Sequence, residues 1–233
     1  MTPRREVIPI LKYIELNGKE PKHSFDIFST DHTNYEDAAI LLNKNIVIVD
    51  FDDFTDVGEL IYNKYPTLRV HTSRGFHLYY RKPKNVLIKN WTSKLTNAGV
   101  QVDYKTGNKS IGIVKQDGEM REMDRGHLLG DWEELPSLPF ELYPSKLSQL
   151  LYQMKEGDGR NNSLYTHLLT IKEMYKPDDK VIVYMAAFIN EYVFQDSLKE
   201  RELETLIESV LSKKIDKNSN KYLNPKDMVM TSE

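Results

Sequence analysis

The stretch NIVIVDFDDF, from Asn45 to Phe54, is an apolar, β-branched run that ends in carboxylates. Its Ile and Val residues disfavour helix and suit a strand. Asp50 and Asp52 are two residues apart, so strand alternation puts both carboxylates on one face while Phe51 points into the other. Asp53 falls on the Phe51 side and is not expected to join them. Two carboxylates at a rigid strand end make half of a divalent metal site, because Mg²⁺ is a hard cation held by one or two carboxylates plus water and phosphate oxygens. The same Asp-x-Asp pattern also suits a solvated turn. A calcium loop starting at Asp50 is excluded, since Phe54 takes its fifth position and Ile61 the twelfth, where Glu is required.

Working outward, an Ala- and Leu-rich segment from about Tyr35 to Leu42 predicts a helix before this strand. Downstream, TLRVHTSRGFHLYYRKP predicts two strands joined at Ser73-Arg74-Gly75, and GVQVDYKTGNKSIGIV a second strand–turn–strand around Thr106-Gly107-Asn108. The first 140 residues therefore form an α+β unit with hairpins. A Pro-punctuated stretch, Leu135 to Ser145, marks the changeover to helices. KLSQLLYQMKE, NNSLYTHLLTIKEMY, DDKVIVYMAAFINEYVF and LKERELETLIESVLSKK each carry apolar residues near helical spacing. Asn161, Asn162 or Ser163 suits the cap of the second, Asp178 or Asp179 that of the third, and Ser197 with Glu200 fits a capping box. Two domains are expected, residues 1–140 and 141–233, with a polar tail from about residue 215 prone to fraying.

Two further clusters carry chemistry. Ser73-Arg74-Gly75-Phe76-His77 combines a hydroxyl, a guanidinium and a tight turn exposing backbone N–H groups, all of which bind phosphate oxygens. His77 alternates away from Phe76 and Leu78 and can face a cleft, while a plain hairpin turn is the competing reading. Asp103 lies in an otherwise apolar strand, where an ionised side chain is costly unless paired or metal-bound. Lys105 shares its face, so an Asp–Lys pair is the simpler alternative.

The chain has 233 residues and no Cys, which excludes disulfides, thiolate metal sites and a cysteine nucleophile. A net charge of −3, from 32 basic and 35 acidic residues, leaves any polyanion to a local patch. No apolar run approaches a membrane span, and the first residues fit neither a signal peptide nor an anchor, so a cytoplasmic protein is expected.

Taken in order, VIVDFDDF, HTSRGFHLYY and VQVDYKTG resemble motifs I, II and III of the archaeo-eukaryotic primase superfamily: hhhDhD, a closely spaced Ser-x-His, and hD. The likeness is to the primase-polymerase branch of phages, plasmids and other mobile elements, whose motif II reads like TSRGxHLYF and whose motif III phrase is similar to VDIKTGxGYVV. GDGRNNSLYTHLLTI, from Gly157 to Ile171, resembles the Gly-x-Arg-Asn-x-x-Leu signature of the helical primase C-terminal domain. Together these cover most of residues 40–175. The Gly-rich phrase after motif III is replaced by NKSIGIV, the zinc module of some cellular primases is missing, and no GxxxxGK[ST] helicase motif occurs.

The resemblance implies an RRM-like palm with a mixed sheet, followed by a small helical bundle. It implies a DNA primase or DNA polymerase that uses two Mg²⁺ or Mn²⁺ ions, nucleoside triphosphates and a single-stranded DNA template in a bacterial host, alongside a separate helicase or initiator protein. Asp50, Asp52 and Asp103 become metal ligands, and Ser73, Arg74 and His77 triphosphate contacts helped by Lys105. Lys82, Lys84, Lys89 and Lys94, interleaved with Tyr80 and Trp91, are a candidate single-strand path, or else a solvated face. Arg160, Asn161 and Asn162 suggest a nucleotide or template contact, with a structural helix cap as the alternative. A non-catalytic replication module binding nucleic acid or a helicase, and a metal-dependent nuclease, are the competing functions.

Overall fold

A computed structural model of the chain describes residues 11–125 and 135–214; expectations placed on the first ten residues and on the tail from about residue 215 lie outside it. The fold is α+β. Strand β4 (Ile46–Phe51) has every residue buried, which is why it reads as one continuous apolar run. Val47, Val49 and Phe51 enter one apolar cluster, and Ile46 and Ile48 enter another on the opposite face.

β4 is flanked by β6 (Phe76–Arg81) and β8 (Gln101–Thr106). Adding β5 (Leu68–His71), β7 (Trp91–Leu95) and β11 (Met123–Asp124) gives a six-stranded sheet of order β11-β5-β6-β4-β8-β7. A five-stranded sheet, β10-β9-β3-β1-β2, is built from β1 (Tyr13–Asn17), β2 (Glu20–Pro21), β3 (Ala38–Leu41), β9 (Ile111–Gln116) and β10 (Glu119–Met120). Every strand pair in both sheets is antiparallel, so the expected mixed sheet is corrected. The crossover through helix α1 (Thr55–Lys64) leads to β5, and β6 inserts itself between β5 and β4. Ile40, Leu42 and Val114 pack against Ile46, Ile48, Leu68, Val70 and Tyr79 to join the two sheets.

Three expectations change. The Ala-rich stretch predicted as a helix is β3, paired with β1 and β9, because burial of Ala38, Ala39 and Ile40 outweighs the helix preference of Ala. β8 and β9 do not form a hairpin but enter different sheets. Gly112 permits this: a Cβ there would lie 2.1 Å from Tyr79 Oη, so the strand can approach only without a side chain. The segment from Lys146 to Glu156 is irregular instead of helical, since its backbone is used elsewhere: Leu151 N–H donates to Gly99 O and Gln153 N–H to Val193 O.

The remaining helices are α2 (Arg160–Tyr175), α3 (Asp179–Phe188), which runs on into a π-helical turn at Ile189–Val193, and α4 (Glu200–Ser212). Their caps also differ. Gly159, with φ 80°, precedes α2, so Asn161, Asn162 and Ser163 lie inside the helix. Lys199 precedes α4, so Ser197 forms no capping box; Asp178 does precede α3, but its side chain makes no capping bond. Leu164, Leu168, Ile171, Ile182, Met185, Leu206 and Val210 share one apolar cluster with the Val47–Phe51 face of the sheet.

His167 ties α2 to the sheet. Its Nε2–H donates to Asn97 O at 2.8 Å, and Nδ1 is buried without a partner among the described residues. Burial pulls the imidazole down to about 4, opposed only in part by the Asn97 bond. The unfolded chain takes up the proton below about 6.5 and the folded one does not, so stability is full above that pH and falls as pH drops towards 4. The loss from this group is about 3 kcal/mol, since each tenfold drop in proton affinity on folding is worth about 1.4 kcal/mol. Denaturant unfolding across pH 7 to 4 is expected to show this slope, and His167→Gln, which keeps a donor for Asn97, to remove most of it. His77, also pushed down by burial, adds to the slope with the same sign, and Asp50, held down by His77 and Lys105, adds to it near the acid end.

Candidate functional site

β4 places Asp50 on the face shared by Ile46 and Ile48, near the sheet's centre. Antiparallel register sets His77 of β6 directly beside it on one side and Asp103 of β8 on the other. Asp50 Oδ2 accepts from Lys105 Nζ at 2.7 Å and from His77 Nε2 at 3.1 Å, while Oδ1 is buried with no partner among the described residues. Burial opposes the charged form, but the contacts with His77 and Lys105 outweigh it and hold the Asp50 carboxyl at about 2. The His77 ring is pushed down by burial against the pull of Asp50, so it is neutral near pH 7 with its proton on Nε2. Asp103 Oδ1 accepts the Ser93 N–H at 2.8 Å, and the β7 register shift between Trp91 and Lys94 brings that donor there, with Ser93 at φ 48°.

Asp52 lies one residue beyond the end of β4, where strand alternation no longer sets its direction. It pairs with Arg74 Nη2 at 2.5 Å, the two side chains being 40% and 73% exposed. Such a surface pair is weak and open to exchange. Ser73 and Arg74 are exposed in the turn between β5 and β6, closed by Thr72 N–H to Gly75 O at 2.9 Å and Gly75 N–H to Thr72 Oγ1 at 3.0 Å. A Cβ on Gly75 would lie 1.7 Å from Phe51 O, so the turn is seated directly on the end of β4.

Strand pairing thus brings Asp50, His77, Asp103 and Lys105 onto one face and Ser73 and Arg74 to its end, while Asp52, expected beside Asp50, turns to Arg74. Arg121 is a further neighbour. This half-buried guanidinium, in the short link between β10 and β11, acts electrostatically on Asp50 and His77. It donates to Gln116 Oε1 at 2.9 Å, and among the described residues no carboxylate lies within ion-pairing distance of it. Burial pushes its pKa down, opposed in part by Tyr79 and Asp50. No local pattern marks it, since it is brought near by the pairing of β11 to the distant β5 and of β9, the hairpin partner of β10, to β3. A cleft of about 550 Å³ beside the carboxylates is lined by Asp103, Lys105, Trp91, Phe25 and two further lysines without a sequence signal, Lys19 and Lys109. That volume suits a small-molecule ligand.

The proposed single-strand path divides. Lys82 and Lys84 line a cavity of about 270 Å³ with Arg81 at the start of β4, where Lys82 Nζ donates to Ile88 O at 2.9 Å. Trp91 and Lys94 stand together at β7, the ammonium 5.5 Å from the ring centroid, and Lys89 is exposed between the two groups. Tyr80 is removed from the path: it is fully buried and its hydroxyl donates to Tyr65 O at 3.3 Å, so no base can stack on it. Arg160 donates to Asp196 O, and Asn161 Nδ2 to Glu202 Oε1 at 3.0 Å, so both tie the start of α2 to the segment around α4. Asn161 and Asn162 also line a groove of about 670 Å³ with Lys199 and Arg201.

Among the described residues no three His, Asp or Glu side chains gather as a ready metal cage. The carboxylates of Asp50 and Asp103 nevertheless suit a hard divalent ion: they face each other on adjacent strands, and Asp50 Oδ1 is a buried oxygen without a donor among the described residues. No described helix is long and apolar enough to cross a membrane. Compared with known proteins, the chain matches no family model, no curated protein and no solved structure.

Because Gly75 has no room for a methyl group, Gly75→Ala is expected to cost about 2 kcal/mol, within the usual range for overpacking. Thermal melting should show a drop of several degrees, against almost none for Ser73→Ala on the exposed side of the same turn.

Proposed function

We propose that the chain is a template-directed nucleotidyltransferase of the primase-polymerase kind, a DNA primase that makes primers on single-stranded DNA for a phage, plasmid or other mobile element. The observation that carries this reading is Asp50 standing between His77 and Asp103 on one sheet face, with the Ser73-Arg74 turn seated at its end. Three segments distant in sequence supply acid, imidazole and phosphate-binding groups to one place. The α+β core followed by helices agrees with it.

Asp50 and Asp103, with Asp52 once released from Arg74, would hold Mg²⁺ or Mn²⁺. When bound, these ions stabilise charge on the attacking and leaving oxygens of phosphoryl transfer. His77 donates to Asp50 and fixes the orientation of its carboxylate, as outer partners of metal ligands do. Ser73, Arg74, Lys105 and Arg121 present a hydroxyl, an ammonium and two guanidinium groups to the triphosphate. Arg121 suits that role because its charge is half-buried and lacks a carboxylate partner among the described residues. Lys19 and Lys109 extend the positive lining of the cleft, and Trp91 and Phe25 offer ring faces to a base. Lys82, Lys84, Lys89 and Lys94 would meet template phosphates. Arg160 and Asn161 have structural partners, which leaves Lys199 and Arg201 of the same groove better placed to contact an anion.

Incubation with single-stranded template, Mn²⁺ or Mg²⁺, labelled nucleoside triphosphates and no primer tests the proposal. Wild type is expected to make new labelled oligonucleotides, and the Asp50→Ala, Asp52→Ala double variant none. Extension of a primed template without initiation would make the chain a polymerase that relies on a partner, and failure of both would favour a non-catalytic replication module. Template affinity is expected to fall steeply with salt, and Lys94→Ala to flatten the plot of log K against log salt by about 0.7, the value for one single-strand phosphate contact.

A further inference from the structure

Asp50 and Asp103 are direct cross-strand neighbours, and like charges so placed repel. Lys105 lies on the same face two residues along β8 from Asp103, and its ammonium reaches across to Asp50 Oδ2 at 2.7 Å. This contact places a positive charge at the carboxylate pair. A divalent cation on Asp50 and Asp103 would supply that charge instead, and cation and ammonium would repel at such short range. Lys105 is not locked in place. Its side chain is 37% exposed on a flexible four-carbon stem, whereas the Asp50 side chain it meets is 10% exposed. Lys105 also lines the cleft shared with Lys19 and Lys109, so an anion bound there offers its flexible ammonium a second partner.

We propose, resting on the nucleotidyltransferase reading above, that Lys105 is a positioning residue with two partners: it closes the Asp50–Asp103 pair to metal in the nucleotide-free protein and releases it when a triphosphate draws the ammonium into the cleft. Metal and nucleotide are then positively coupled through one side chain, each raising the affinity for the other. Divalent ions alone bind poorly, and the metal site is completed only when the nucleotide is present.

Binding of Mn²⁺ alone to the full chain, without nucleotide, tests this through loss of the free-ion electron paramagnetic resonance signal. Lys105→Met removes the ammonium at similar length and is expected to bind Mn²⁺ about tenfold more tightly than wild type, within the usual span of coupling effects. Lys105→Gln gives the same reading should the Met variant fold poorly, and Lys105→Arg, which keeps the charge, should stay close to wild type. A gain in affinity is not what a loosened fold produces. Thermal melting gives a second readout, the rise on adding Mn²⁺ being larger for Lys105→Met than for wild type. Equal or weaker Mn²⁺ binding by both neutral variants overturns the inference. If wild type still makes primers in that case, the role of Lys105 alone falls; if wild type makes none and binds Mn²⁺ no better than Asp50→Asn, the metal site falls with it.

Discussion

A strand buried on both faces yet carrying an ionised carboxylate sets the terms for everything around it. Burying a charge is costly unless it is paired and hydrogen-bonded. β4 meets that constraint through its neighbours: His77 from one adjoining strand, Lys105 from the other, and Gly75 allowing the Ser73-Arg74 turn to close over the strand end. Asp103, which Asp50 faces directly, is satisfied in turn by a backbone donor from a bulged edge strand. Together these contacts gather acids, an imidazole and cations on one sheet face, with Asp103 and Lys105 at the edge of the cleft.

The helical half depends on the same sheet from its other face. Val47, Val49 and Phe51 pack into the cluster that also takes Leu164, Leu168 and Val210, so sheet and helices are held by shared apolar contacts. Buried polar contacts fix the seating. Glu141 is 1% exposed and accepts from Tyr184 Oη at 2.5 Å and Lys64 Nζ at 3.4 Å; Tyr104 Oη donates to Leu142 O at 2.7 Å. Such groups are expensive to leave unpaired, so they select one docking of helices on sheet. The groove beside α2 and α4 is thereby held in a set position relative to the carboxylates.

Much of the site was legible because its residues sit on strands whose alternation is local. The run through Asp50, the turn at Ser73-Arg74-Gly75 and the Val102–Tyr104 alternation around Asp103 all read correctly from spacing. Where the structure departs from local spacing, a distant partner overrules a local preference. Ala38 and Ala39 favour helix but are claimed by β1 and β9; Leu151 and Met154 have helical spacing, but the backbone around them bonds to Gly99 and Val193. Tyr80 has the composition of a stacking residue, but its place in the strand points it into the core.

Which residues alternate to each face of the central strands is legible locally, because an extended backbone repeats every two residues. Long-range strand pairing sets that β8 and β9 part into different sheets, that Lys19 and Lys109 join the cleft, that Arg121 comes within electrostatic reach of Asp50, and that Lys105 rests on Asp50 instead of Asp103. These are matters of strand pairing and charge balance between segments far apart in the chain, and no local period records them.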